Sequence, residues 1–284
     1  MRPKNKEECA QKIKNMKTNL VIGSDGFIGT PFCKFLEEKS EKVIRFDIKH
    51  GESEDARIEK LPLTSVEKVY FLAWDVGGSR YLYEPKLQKN QLDWNLTLMK
   101  NVFDQLEKSK KDFLFVSSQL SEEVDTVYGV TKRLGEVWTG LLGGVCVRVW
   151  NAYGYMEGQD VKSHVISDFI YQALKTKKIT MMTNGEEWRQ FTHIRDLSEA
   201  FYMAMHLSHR KKTVYDASSY EWVQIIDIAE MIAKETGAQV IKGSKIGHNP
   251  IASPNRGRIP QWLPSVELHQ GIQQMIREAK AIML

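Results

Sequence analysis

The chain has 284 residues, enough for one large domain or two small ones around a core of ordinary size. Its 42% hydrophobic and 27% charged residues are the composition of a soluble globular protein, and no apolar run reaches the length of a membrane span. The formal charge of +4 is local: residues 1–17 hold Arg2, Lys4, Lys6, Lys12, Lys14 and Lys17 against Glu7 and Glu8, so the rest is neutral and a nucleic-acid-binding face is not expected.

The N-terminus lacks the apolar centre of a signal peptide, which points to the cytoplasm. Cys9, Cys33 and Cys146 are scattered and odd in number, without metal spacing, so neither disulfides nor structural zinc are expected. Residues 1–17 read as a solvated basic extension with a short helix through Cys9, Ile13 and Met16.

From Leu20 to Ile22 the apolar residues make a short buried strand. Gly23, Gly26 and Gly29 follow at three-residue spacing, and Phe27, Ile28, Phe32, Phe35 and Leu36 continue at helical period. Strand, glycine turn and helix in that order let a pyrophosphate approach the N–H groups at a helix N-terminus. Val43–Asp47 is a second strand whose terminal carboxylate, about 20 residues past the glycines, is placed to accept from both ribose hydroxyls. Asp47 therefore argues for NAD over NADP.

The polar segment 51–60 is expected to loop over the adenine edge. Val69–Ala73 is a buried strand that stops at Trp74-Asp75-Val76-Gly77-Gly78, and the next helix carries Leu87, Trp94, Leu98, Val102 and Leu106 on one face, interrupted by Asn95. A strand from Phe113 to Val116 ends in Ser117-Ser118, a helix starts near Gly129, and a strand Val145–Val149 leads to Asn151. This alternation predicts a parallel, doubly wound sheet in an α/β fold. Beyond Asn151, helices at 163–176, 197–208, 223–236 and 266–282 and a strand Ile179–Met182 suggest a smaller mixed lobe, with a proline- and glycine-rich loop, 243–264, over the site. The predicted division is 18–154 plus about 192–217 for the dinucleotide domain, with 155–191 and 218–284 for the lobe. Asp196 with Glu199 fits a capping box, making Asp196 a helix start rather than a catalytic acid. His164 and His193, without metal or triad spacing, read as packing or surface residues, and the tryptophans, Trp94 and Trp138 among them, as helix packing.

Tyr128 and Lys132 stand four residues apart, on one face of a helix. The ammonium is expected to favour the phenolate and make Tyr128 a usable general base. With "GSDGFIG", Asp47, "FLAW", Asn95, "FVSS", "YGVTK", "RVWNAYG" and "NGEEWRQFTHIRD", the chain from Thr18 onward resembles the extended short-chain dehydrogenases/reductases of the NAD-dependent nucleotide-sugar epimerase/dehydratase family.

The resemblance implies a Rossmann-type doubly wound sheet with a C-terminal substrate-binding lobe, NAD as cofactor, a nucleotide-diphosphate sugar as substrate, and a homodimer built on the helices that follow Asn95 and Tyr128. It implies that Ser118 bonds the sugar hydroxyl being oxidised, that Tyr128 takes its proton, and that Lys132 holds the nicotinamide ribose. Asn95 would support the lysine through backbone and water contacts, or be a buried amide satisfied by backbone. The cofactor would lie along Gly23, Asp25, Gly26, Phe27, Ile28, Gly29, Asp47 and Ala73. Asn151 would meet the sugar nucleotide, and Arg189 its diphosphate unless it is a surface salt-bridge residue; Arg258 is a second phosphate contact. Trp74 stands where the family has a small residue, either restricting the sugar or sealing the nicotinamide.

The family's 4,6-dehydratases place an Asp-Glu pair immediately after the catalytic Ser or Thr. Here those positions hold Gln119 and Leu120, which exchange no proton, leaving Glu122 and Glu123 as substitutes from a shifted loop. The segment between Ser118 and Tyr128 is also short. The expected activity is C4 epimerisation through a transient 4-keto sugar. The alternatives are a C4 dehydrogenase or ketoreductase, a uronate decarboxylase, a 4,6-dehydratase, and a non-catalytic NAD-binding regulator.

Overall fold

The structure, a computed structural model, describes residues 17–82, 84–155, 164–208, 212–249 and 253–283. The helix expected within residues 1–17 lies outside the described residues.

Six parallel strands form the central sheet in the order β10-β5-β4-β3-β1-β2. They are β1 (Thr18–Ile22), β2 (Lys42–Phe46), β3 (Lys68–Phe71), β4 (Asp112–Ser118), β5 (Val145–Val149) and β10 (Val214–Ala217). β1 and β5 are buried along their whole length, as strands covered on both faces must be. One face packs α1 (Gly29–Glu38) and α6 (Ile194–Met205) through Phe32, Leu36, Leu197 and Phe201. The other packs α3 (Pro85–Ser109), which follows the one-turn α2 (Ser79–Leu82), and α4 (Val127–Leu141), with Leu98, Val102, Phe103 and Leu106 against Phe71 and Phe115. β1 pairs with β2 on one side and β3 on the other, and the crevice at the carboxyl ends of such strands is where open α/β sheets bind ligands.

The smaller lobe has its own core. α5 (Val165–Thr176), α7 (Ile225–Thr236) and α8 (Leu268–Met283) bury Ile166, Phe169, Ile228, Ile232, Ile272 and Ile276 together. Outside the central sheet, the described residues also form separate two-stranded pairs: β6 (Ala152–Tyr153) with β9 (Thr192–His193), β7 (Lys178–Thr180) with β12 (Gln239–Ile241), and β8 (Trp188–Arg189) with β11 (Val223–Gln224). Among the described residues no helix is long and apolar enough to cross a membrane.

Asp196 is not the helix start expected of it. His193 caps α6, its ring accepting from Arg195 N. The buried Asp196 carboxylate instead accepts from Ser265 N and Oγ and from Val266 N at 2.8–3.0 Å. The capping pattern failed because a partner about seventy residues away supplies more donors than the local turn.

A cluster of buried charges ties the sheet to the segment after β4. Arg148 on β5 is 1% exposed and grips Glu136 of α4 through Nε and Nη2 at 2.6 and 2.7 Å. Ser117 and Ser121 donate to the same carboxylate, and Arg148 Nη1 reaches Glu122. Burial alone would raise the Glu136 pKa, but the Arg148 bond holds it below the usual range. Removing one partner of such a pair strands the other charge. Arg148→Leu is expected to lower the unfolding free energy by about 3–5 kcal/mol; a urea-unfolding loss below about 1 kcal/mol would show that water satisfies Glu136 instead.

Candidate functional site

A cavity of about 680 Å³ opens at the carboxyl ends of β1, β3 and β4 and continues into the smaller lobe. Its first half is the glycine turn. Gly23 has φ +87°, and a Cβ there would stand 2.5 Å from Ala73 N; one on Gly29 would stand 1.9 Å from Gly23 O. Close packing of this kind leaves backbone, with Phe27 and Ile28, as the wall. Ile28 heads α1 with no side-chain cap, so the helix start presents its N–H groups to an anion.

Asp47, just past β2, lines the same half and is nearly buried. Its two oxygens accept from Asp25 N at 2.9 Å and Lys49 N at 3.0 Å, which holds the carboxylate at the lip. Asp25 contributes only that backbone N–H. Its side chain turns outward to His50 at 2.7 Å and is not part of the cavity wall, contrary to expectation. Beyond Asp47 the wall includes Asp55, Ala56 and Arg57, with the Arg57 guanidinium 3.4 Å above the Trp94 ring. Trp94 thus belongs to the site rather than to helix packing, whereas Trp138 packs on Phe103 at 5.2 Å.

Ser118, Tyr128 and Lys132 come together at the centre. Ser118 ends β4, and its Oγ accepts from Leu120 N at 3.2 Å and lies near enough to the Tyr128 phenol to lower its pKa. Thr126 caps α4 by accepting from Gly129 N at 3.0 Å, which fixes the helix one turn before Lys132. Burial pushes the Tyr128 pKa up to about 12, opposed by Ser118.

The expected help from Lys132 is weakened. Burial brings the Lys132 pKa down to about 7, which reduces the share of ammonium that can favour the phenolate. Its Nζ donates to Val116 O at 2.7 Å and lies 3.9 Å from the Trp74 ring centroid, against 5.9 Å for Tyr128.

Asn95 does not touch the lysine. Fully buried on α3, it accepts from Asp75 N at 2.8 Å and donates to Asp75 O at 3.2 Å, which is the backbone-satisfied amide. It pins the residue after Trp74.

The second half is lined by Asn151, His164, Asp168, Phe169, Thr180–Thr183, Glu187, Arg189, Phe191, Ile225 and His248. Asn151 Nδ2 donates to Gln190 O, and Arg189 donates to the carbonyls of Trp188 and His248 at 2.8 Å. Arg258 is elsewhere: its guanidinium stacks 4.1 Å from the Tyr220 ring, because its segment bridges Asp216 on the sheet edge. His164 lines the cavity against Phe27 at 5.0 Å rather than packing or facing solvent alone.

Of the substitute carboxylates, Glu122 is committed to Arg148 and Arg256 and held ionised, while Glu123 lines the cavity with Gln119 and Leu120. Sequence reasoning passed over Glu187, whose carboxylate is buried with Oε1 accepting from Thr183 Oγ1 at 2.7 Å. The available signal was its i, i+2 relation to Arg189, which puts both on one side of an extended segment.

The sequence pattern of the NAD-dependent epimerase/dehydratase family matches residues 19–217. A UDP-N-acetyl-alpha-D-glucosaminuronate decarboxylase of Bacillus cytotoxicus is 24% identical over 319 residues, covering 92% of this chain and 97% of its own. Among solved structures, MoeE5 in complex with UDP-glucose and NAD superposes with TM-score 0.78 at 18% identity, over 94% of this chain and all of that one. A UDP-glucose 4-epimerase of Thermotoga maritima, solved with UDP-glucose, gives 0.73 at 17%, over 95% of this chain and all of its own.

Asn95 supplies both partners of the Asp75 backbone, so Asn95→Ala is expected to cost about 1–3 kcal/mol of stability. A denaturation midpoint identical to wild type would mean that the loop holds Trp74 without it.

Proposed function

The chain belongs to the NAD-dependent epimerase/dehydratase family, with NAD as its cofactor, and from that premise we propose that it is a nucleotide-sugar C4 epimerase. The observation that carries the reading is the convergence of Ser118, Tyr128 and Lys132 in one cavity with the glycine turn, while Gln119 and Leu120 occupy the places of the dehydratase acids. The cavity fits the cofactor on the structure's own terms. The turn is closed to side chains, the α1 start lacks a side-chain cap, and Asp47 is held at the lip for a ribose diol.

When bound, NAD supplies the nicotinamide that accepts and returns a hydride, and its positive charge favours the Tyr128 phenolate. The protein's residues do the rest. Ser118 orients the sugar 4-hydroxyl and donates to the phenol oxygen, which opposes the burial that holds Tyr128 protonated. Tyr128 takes the hydroxyl proton as C4 is oxidised, and Lys132 holds the nicotinamide ribose. The 4-keto sugar turns over in the cavity, C4 is reduced from its other face, and Tyr128 returns the proton. Arg189 from the smaller lobe and Asn151 from just past β5 hold the sugar nucleotide. Elimination of water needs an acid beside Ser118; Gln119 and Leu120 supply none and Glu122 is paired away, which leaves Glu123 on the cavity wall as the carboxylate such a reaction would use.

A second reading is favoured by one observation, the decarboxylase that aligns over nearly its whole length. In it the same oxidation at C4 of a nucleotide uronate makes a β-keto acid that loses carbon dioxide.

Product NMR against a panel of nucleotide sugars with catalytic NAD tests both. A C4 isomer without net NADH is expected, and Tyr128→Phe is expected to lower turnover by about 10²–10⁴. Carbon dioxide release would establish the decarboxylase, and unaltered turnover in Tyr128→Phe would remove Tyr128 as the base.

We also propose a homodimer. The outer face of α4 exposes Val130, Leu134, Val137 and Leu141, the last 81% exposed, at helical spacing, a stripe that a second copy would cover. Sedimentation is expected to give a dimer at micromolar concentration and a monomer for Leu134→Glu/Val137→Glu; a wild-type monomer would refute it.

A further inference from the structure

Trp74 follows β3 at the position where it lines the centre of the cavity. Its ring packs on Phe115 at 5.4 Å and Phe71 at 6.1 Å, and its other neighbour is the Lys132 ammonium, 3.9 Å from the ring centroid. That ammonium is deeply buried and has one hydrogen bond among the described contacts, to the Val116 carbonyl. From α4 it is faced by Tyr128 and Glu136, from β5 by Cys146, and from β4 by the Phe115 ring at 4.9 Å. Glu136 is saturated by Arg148, Ser117 and Ser121. Trp74 therefore presents the nearest uncommitted negative potential, the face of an indole, the strongest of the aromatic faces for a cation.

We propose that Trp74 is a positioning residue that keeps Lys132 charged, and so able to donate to the cofactor ribose, in a pocket dry enough to neutralise it. The inference rests on the reading of Lys132 as the residue that holds that ribose. Asn95 takes part at one remove, because it fixes the Asp75 backbone next to the indole.

The direction of the effect follows from the charge. Burial favours neutral lysine and brings its pKa to about 7, while an aromatic face favours the cation. Replacing the indole by an apolar side chain that keeps water out lets the lysine lose its proton at lower pH, and a neutral amine donates more weakly to a hydroxyl.

The test is the NAD dissociation constant from pH 5.5 to 9 in wild type, Trp74→Leu, Trp74→Phe and Lys132→Met. Wild-type affinity is expected to fall as pH rises through the lysine titration. In Trp74→Leu the midpoint moves down by about one pH unit, a factor of about ten in the protonation equilibrium, and Trp74→Phe, which keeps a weaker π face, falls between. Lys132→Met gives weak binding without that pH dependence. A Trp74→Leu midpoint equal to wild type, with Lys132→Met flat, overturns the role of Trp74 alone. A wild-type pH dependence that persists in Lys132→Met overturns the role of Lys132 and this inference with it.

Discussion

The buried pair Glu136–Arg148 is the interaction on which the geometry of the centre depends. Each partner would be costly to bury alone, and each is satisfied here by the other together with Ser117, Ser121 and Glu122. The groups come from α4, β4, β5 and the short segment after Ser118, the elements that place Ser118, Tyr128 and Lys132. Arg256, bonded to Glu122 at 2.7 Å, brings the segment beside β10 into the same network. A serine at the end of a strand and a tyrosine on a helix can hydrogen-bond only if strand and helix hold a fixed register, and this cluster is a polar clamp between them.

The rest of the cavity follows from topology. The two halves of the sheet wind in opposite senses from β1, so the carboxyl ends of β1 and β3 face an opening, and the glycine turn occupies it. The smaller lobe closes the far side with residues from β8, α5 and α7. Its contribution is chemical as well as steric, since Glu187 and Arg189 put a negative and a positive group on the same wall.

Much of this was legible in the chain. Gly23, Gly26 and Gly29 announce a turn by their spacing, and Gly23 and Gly29 leave no room for a Cβ there; Tyr128 and Lys132 share a helix face by spacing alone. What was not legible depends on burial and on distant partners. Spacing placed Lys132 near Tyr128, but burial raises the tyrosine pKa and lowers that of the lysine, and no local pattern encodes burial. Asp196 had the local signature of a cap and was taken by Ser265 and Val266. Arg258 lay in an irregular segment, and only its bridge to Asp216 decides that it runs along the sheet edge instead of into the cavity. Asn95, expected either to support the lysine through backbone and water contacts or to be satisfied by backbone, is bonded to the backbone of Asp75, the residue after Trp74.

Helix α4 has duties on nearly every side. Tyr128, Lys132 and Glu136 face inward, Gly129 and Gly135 admit no side chain, the first against the Leu120 and Glu123 carbonyls and the second against Phe115, and the outward positions form an apolar stripe. Few positions on it are left to drift. A lineage that alters its substrate by mutation is thereby steered to the segments outside this helix, above all to the wall of the smaller lobe, where specificity can diverge while the chemistry stays put.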